Sequence, residues 1–147
     1  MPDGAGGTVH ARPGRGARRA GYVASAIVNA VLLYLVAVRP GWQAVPFLTA
    51  DASEVIPLVE ASLVAGIVVN LVWVVGDPPW LRSLGDLVTT LFGVAVLGRL
   101  LTVFPFTIEA GSAVETVVRL LLALALVGSV IGVVVHAVTL VRRLLGR

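Results

Sequence analysis

Four apolar runs, each near or above twenty residues, constrain this chain more than any other feature. They extend from about Ala20 to Val38, Pro57 to Val75, Pro79 to Phe104 and Ala113 to Val141. Crossing about 30 Å of hydrocarbon takes roughly 20 residues of α-helix. Lipid offers no water to a free amide, so each segment must satisfy its own backbone. The period-two alternation of a membrane barrel is missing, which leaves helices. The 147 residues are 58% hydrophobic and 13% charged, with a mean hydropathy of +0.99; a soluble domain carries about 25% charged residues. The expected fold is an all-α membrane protein, with four transmembrane helices in one bundle over residues 20–147. Residues 1–19, rich in Gly, Pro and Arg, read as a disordered cytoplasmic tail.

The arginines orient the bundle. Arg12, Arg15, Arg18 and Arg19 precede the first span, Arg82 follows the second, and Arg142, Arg143 and Arg147 follow the fourth; the other two connections hold only Arg39. By the positive-inside rule both termini are cytoplasmic, which requires an even number of spans. Trp42 then falls at the outer interface and Trp73 and Trp80 at the inner one, as an aromatic belt would place them. The first span is too long for the apolar core of a signal peptide, and no cleavage site follows it closely. The high pI of 10.6 therefore reflects membrane orientation, and no nucleic-acid partner is expected.

Polar groups inside the spans are costly and usually face a bundle interior. A rise of 1.5 Å per residue puts Asn29 near mid-membrane, and Asn70 and His136 roughly 9 Å above the cytoplasmic end. With Asp86 near the inner boundary these form a candidate intramembrane cluster of Asn29, Asn70, Asp86 and His136, with Thr89 and Thr90 close by. Two readings apply. The cluster is a proton or cation path, since histidine changes charge closest to neutrality, or it is interhelical hydrogen bonding, which contributes about 0.6–2 kcal/mol per contact. A second candidate group, of outer-leaflet ion pairs, is Glu60, Arg99, Glu115 and Arg119. Glu115 and Arg119 stand four apart in the favourable order. Arg99, about 7.5 Å below the outer end, is expected to snorkel or to pair with Glu115 or Glu60.

Small residues mark packing faces. Ala125, Gly128, Ser129, Gly132 and His136 share one side of the fourth span, and Gly128 and Gly132 form a GxxxG pair that permits close helix approach. That pair serves packing within the bundle or a homodimer seam. Ala26 and Ala30 make a similar pair, and Ser62 and Gly66 share a face of the second span. Asp77 is a candidate N-cap for the third helix.

No Walker loop, HExxH, GxSxG or metal-spaced His pair occurs, and with no Cys no thiolate site is possible. No catalytic, cofactor-binding or metal residue is therefore expected, and no cofactor. Pro40-Gly41-Trp42, Pro46-Phe47-Leu48-Thr49, Asn70 and Gly85-Asp86-Leu87-Val88-Thr89 resemble uncharacterised four-span membrane proteins of GC-rich Gram-positive (actinobacterial) bacteria. The resemblance implies a place in the cytoplasmic membrane and no activity. The chain lacks the first-helix glutamate of small multidrug transporters and the pattern of small fluoride channels. The sequence thus predicts a non-enzymatic membrane protein acting as an accessory, assembly or interaction subunit, with the lipid bilayer and a homo-oligomer or membrane protein as partners. The alternative is a small transporter or channel.

Overall fold

The computed structural model describes residues 14–146. Four helices account for most of them: α1, Arg15–Ala37; α2, Ile56–Val75; α3, Pro79–Val103; and α4, Ala113–Leu144. Each is long and apolar enough to cross a membrane. The chain is therefore built as a multi-pass membrane protein, with large aliphatic side chains such as Ile27, Leu121 and Ile131 more than half exposed on its flanks.

The helix boundaries differ from expectation chiefly at the start. Arg15–Arg19 belong to α1 and not to an unstructured tail; the rest of the expected tail, residues 1–13, lies outside the described residues. Arg and Ala are strong helix formers, and Arg18 gains an ionic partner by being helical. Asp77 does not cap α3. The cap position is Pro78, without a side-chain hydrogen bond, and proline in the first turn forfeits only a free amide. Ser112 does cap α4, accepting from Glu115 N at 3.1 Å. The Glu115 carboxylate reaches back to Gly111 N at 2.6 Å, a variant of the capping box.

Packing follows chain order. Helix α1 lies on α2, α2 on α3, and α3 on α4. Cross-helix pairs fix an antiparallel register between α1 and α2: Arg18 meets Asp77 just beyond α2, the Tyr22 ring packs at a tilt of 53° against Trp73, and Asn29 lies against Gly66. Between α3 and α4, Thr90 meets Gly132 and Pro79 meets Arg143. Trp73 occupies the centre of the series. Its ring centroid is 5.3 Å from that of Tyr22, and its indole N–H donates to Leu81 O at 3.3 Å. Its other side rests on Gly85, where an added Cβ would lie 2.5 Å from Trp73 Cζ2 and 2.7 Å from Val69 Cγ1. Glycine is thus what lets α3 approach the indole.

The two ends are built differently. At one end, two connections are knitted together by backbone. Thr49 N donates to Pro105 O at 2.8 Å and Thr107 N to Phe47 O at 2.9 Å, around an antiparallel bridge between Leu48 and Phe106. Ala52, Val55 and Pro105 are buried beneath this clasp. At the other end lie the start of α1, the three-residue turn Gly76–Pro78 and the end of α4, joined by charged side chains.

Candidate functional site

The intramembrane polar residues fall into two groups and not one cluster. Asn29 and Asn70 both converge on Gly66. An added Cβ there would come within 2.8 Å of Asn29 Oδ1, and Asn70 Nδ2 donates to Gly66 O at 2.7 Å. Asn29 Nδ2 donates one turn back, to Ser25 O at 2.8 Å. Asp86 and His136 belong to the α3–α4 seam. The register set by Thr90–Gly132 and Pro79–Arg143 puts them at the same level on facing helices, one turn deeper toward the charged end than Thr90. Among the described residues no hydrogen bond or ion pair joins their side chains. Thr89 and Thr90 hydroxyls donate back to their own helix, at Gly85 O and Asp86 O, as hydroxyls within helices commonly do.

At the clasped end the expected i,i+4 pair forms, with Arg119 Nε 2.9 Å from Glu115 Oε1. Arg119 also lies 4.0 Å above the Phe104 ring, an arrangement that favours a cation. Arg99 pairs with neither Glu115 nor Glu60. Its partner is Glu54, 3.2 Å away. The reason is geometric: a short 3₁₀ helix, Ala50–Glu54, folds the first long connection back toward α3. Both Glu115 oxygens are meanwhile committed to Arg119 and Gly111. Glu60 makes no ion pair among the described residues.

The GxxxG pair is also divided. Gly132 faces α3, with Thr90 Cγ2 3.4 Å from the place of an added Cβ, whereas Gly128 has open space there. Ser129, Gly132 and His136 are half-buried; Ala125 and Gly128 are exposed. The stripe is wider than the contact that α3 makes with it.

The most elaborate arrangement is at the charged end. Asp77 Oδ2 accepts from the Tyr22 hydroxyl at 2.9 Å and lies 3.1 Å from Arg18 Nε. The Tyr22 hydrogen bond, helped by the charges of Arg18 and Arg82, holds the Asp77 carboxyl below its ordinary value against an opposing desolvation. On the far side, Arg143 Nη1 donates to Pro79 O at 2.6 Å and to Ser83 Oγ at 2.7 Å. Ser83 is buried, so this arginine ties α4 to the first turn of α3. A cavity of about 510 Å³ opens between α1 and the α2–α3 turn, lined by Arg15, Arg18, Arg19, Arg82, Asp77 and Val75 among others. Beside it, between α2 and α3, runs a wholly apolar groove of about 170 Å³, lined by residues that include Val68, Val72, Trp73, Leu81 and Leu84.

Sequence reasoning passed over Tyr22, Ser83, Gly85 and this arginine cavity as features of a site. A signal was present. Asp77 is the only carboxylate in a three-residue turn at the end where arginine counting gathers the positive charge. No group of three or more His, Asp or Glu side chains able to hold a metal ion occurs among the described residues.

The fold and these contacts define the class: an all-helical protein with four membrane-length helices and a charged, arginine-rich end. No protein-family model matches the chain, and no curated protein or solved structure matches it either.

Proposed function

We propose that the chain is a non-enzymatic protein of the cytoplasmic cell membrane, with both termini cytoplasmic, whose role is association. It assembles with itself or with another membrane protein as an accessory subunit. The observation that carries this reading is the packing in chain order, which leaves α1 and α4 each with one principal neighbour among the long helices. On α4 the small residues Ala125 and Gly128 are exposed, with free space above Gly128, and small residues are what let membrane helices come together. Orientation rests on the positive-inside rule, since Arg15, Arg18, Arg19, Arg82, Arg142 and Arg143 share one end. Closure of the four helices into a bundle belongs to the assembled form.

The chain has no cysteine, so Gly128→Cys supplies a single thiol to carry a photo-crosslinker, which captures any neighbouring chain in native membranes. The expected product is a covalent adduct larger than the 15.2 kDa chain, lost in the double variant that adds Ala125→Leu. A band that stays monomeric would remove the reading.

The second reading, a small transporter or channel, is favoured by one observation: Asp86 and His136 stand at one level in the α3–α4 seam. It predicts a proton or cation flux in liposomes that His136→Ala abolishes while the fold persists. Flux no greater than in empty vesicles counts against it.

A further inference from the structure

The arginine cavity and the apolar groove adjoin: Arg82 of the one and Leu81 of the other are chain neighbours. Val75 lines the cavity, and Val72 and Val68 line the groove; positions three and seven residues back share a stripe of the helix. Four guanidiniums at the end of the spans thus stand next to an uncharged groove between two helices. The cavity lining holds four arginines against one carboxylate. Asp77 is already engaged by Tyr22 and Arg18. Arg15, Arg19 and Arg82 have no carboxylate partner among the described residues, and Arg82 Nε is shut off from solvent with no acceptor. Two helices also begin beside the cavity, α1 and α3, neither with a side-chain cap. Their free amides add positive potential to that of the arginines.

We propose that this surface binds an anionic phospholipid, its phosphate headgroup held by Arg15, Arg19 and Arg82 and one acyl chain lying in the α2–α3 groove. Arginine suits phosphate because its planar fork donates two parallel hydrogen bonds. Basic pockets between transmembrane helices at the cytoplasmic side are the usual setting for such headgroups. The groove decides between the two sources of a phosphate. A soluble anion would leave the apolar walls uncovered, whereas a lipid fills both compartments. Trp73, one wall of the groove, then serves as a reporter of the chain beside it. The inference rests on the membrane-spanning reading and is independent of the association reading.

The test uses the full chain carrying Trp42→Phe and Trp80→Phe, which leaves Trp73 as its one tryptophan, in nanodiscs of phosphatidylcholine doped with phosphatidylglycerol whose acyl chains are brominated. Bromine quenches tryptophan on contact, so preferential quenching by the brominated anionic lipid over brominated phosphatidylcholine at equal mole fraction is expected. Each of Arg15→Gln, Arg19→Gln and Arg82→Gln should weaken the preference by about fivefold, and the triple variant should abolish it with helix content unchanged. Arg142→Gln, which removes one charge from the same end outside the cavity, should retain it. Inorganic phosphate should fail to displace the brominated lipid; displacement at equal concentration would overturn a lipid as the occupant. Equal quenching by the two lipids, or a preference that survives the triple variant, would overturn the site itself. Quenching by neither lipid would overturn both the site and the spanning reading.

Discussion

The two ends of the molecule solve the same problem with opposite materials. Each must hold together the ends of helices whose flanks are greasy and mutually slippery. At the clasped end the work is done by backbone: Thr49 to Pro105, Thr107 to Phe47, and a small dry core of Ala52, Val55 and Pro105. Charges there are accessory, and the Arg99–Glu54 pair is about half exposed on both sides, at 46% and 55%. At the other end two side chains act as latches. Asp77 ties the α2–α3 turn to α1, and Arg143 ties α4 to α3. Backbone pairing closes a surface, whereas side-chain latches leave space between the parts they join. The arginine cavity is that space.

The largest effect should come from the packing that seats the latched end. Gly85→Val would drive a branched side chain into Trp73 and Val69, and overpacking of this kind costs typically 1–3 kcal/mol. Thermal unfolding in detergent should show a clear drop in Tm for Gly85→Val and a much smaller one for Gly93→Val, where nothing stands in the way. Equal tolerance at the two sites would mean that Trp73 is not the fixed spacer between α1 and α3.

A smaller loss is expected from Asp77→Asn, which keeps the shape and removes the charge. The Asp77 carboxyl titrates below its ordinary value in the folded protein. A depressed carboxyl stabilises the fold at pH values above its unfolded pKa, and that stabilisation is lost as pH falls through the folded one. Unfolding of the parent chain should therefore become easier in strong acid, and Asp77→Asn should flatten this dependence. An identical acid profile in the two proteins would show that the latch is held by Tyr22 packing and not by charge.

The smallest effect belongs to the clasped end. Exposed ion pairs contribute about 0–1 kcal/mol and are screened by salt. A double-mutant cycle of Arg99→Ala with Glu54→Ala should give a coupling in that range, absent with Glu115→Ala in place of Glu54→Ala. A large coupling with Glu54 would mean that charge, and not the backbone clasp, secures this end.

Much of this architecture is legible in the residues, and the division between what is and is not has a physical cause. The spans are readable because hydropathy is a local property of twenty consecutive residues. The Glu115–Arg119 pair is readable because one helix turn relates the two. Arg99 could not be paired correctly, since its partner depends on how residues 50–54 coil back over α3, which no period encodes. GxxxG was readable as a motif but not as a contact. Periodicity gives the face of a helix, and only the neighbour decides which part of that face is covered, so Gly132 packs while Gly128 does not. Asn29 and Asn70 share Gly66 rather than joining Asp86 and His136, because depth alone does not say which seam a residue belongs to.

Packing in chain order also bears on how the protein is made. When α2 enters the bilayer, its partner α1 is already there, and the same holds for α3 and α4 in turn. Each helix thus meets its principal contact as the preceding neighbour, joined to it by a connection of fewer than twenty residues, and the closing entropy of such short loops is modest. Contacts of the first connection must wait: Glu54 for Arg99 of α3, and last the clasp between residues 47–49 and 105–107, whose second half emerges after α3. Assembly would then proceed like a row laid one piece at a time, with the seal at the clasped end set only after the third helix has crossed.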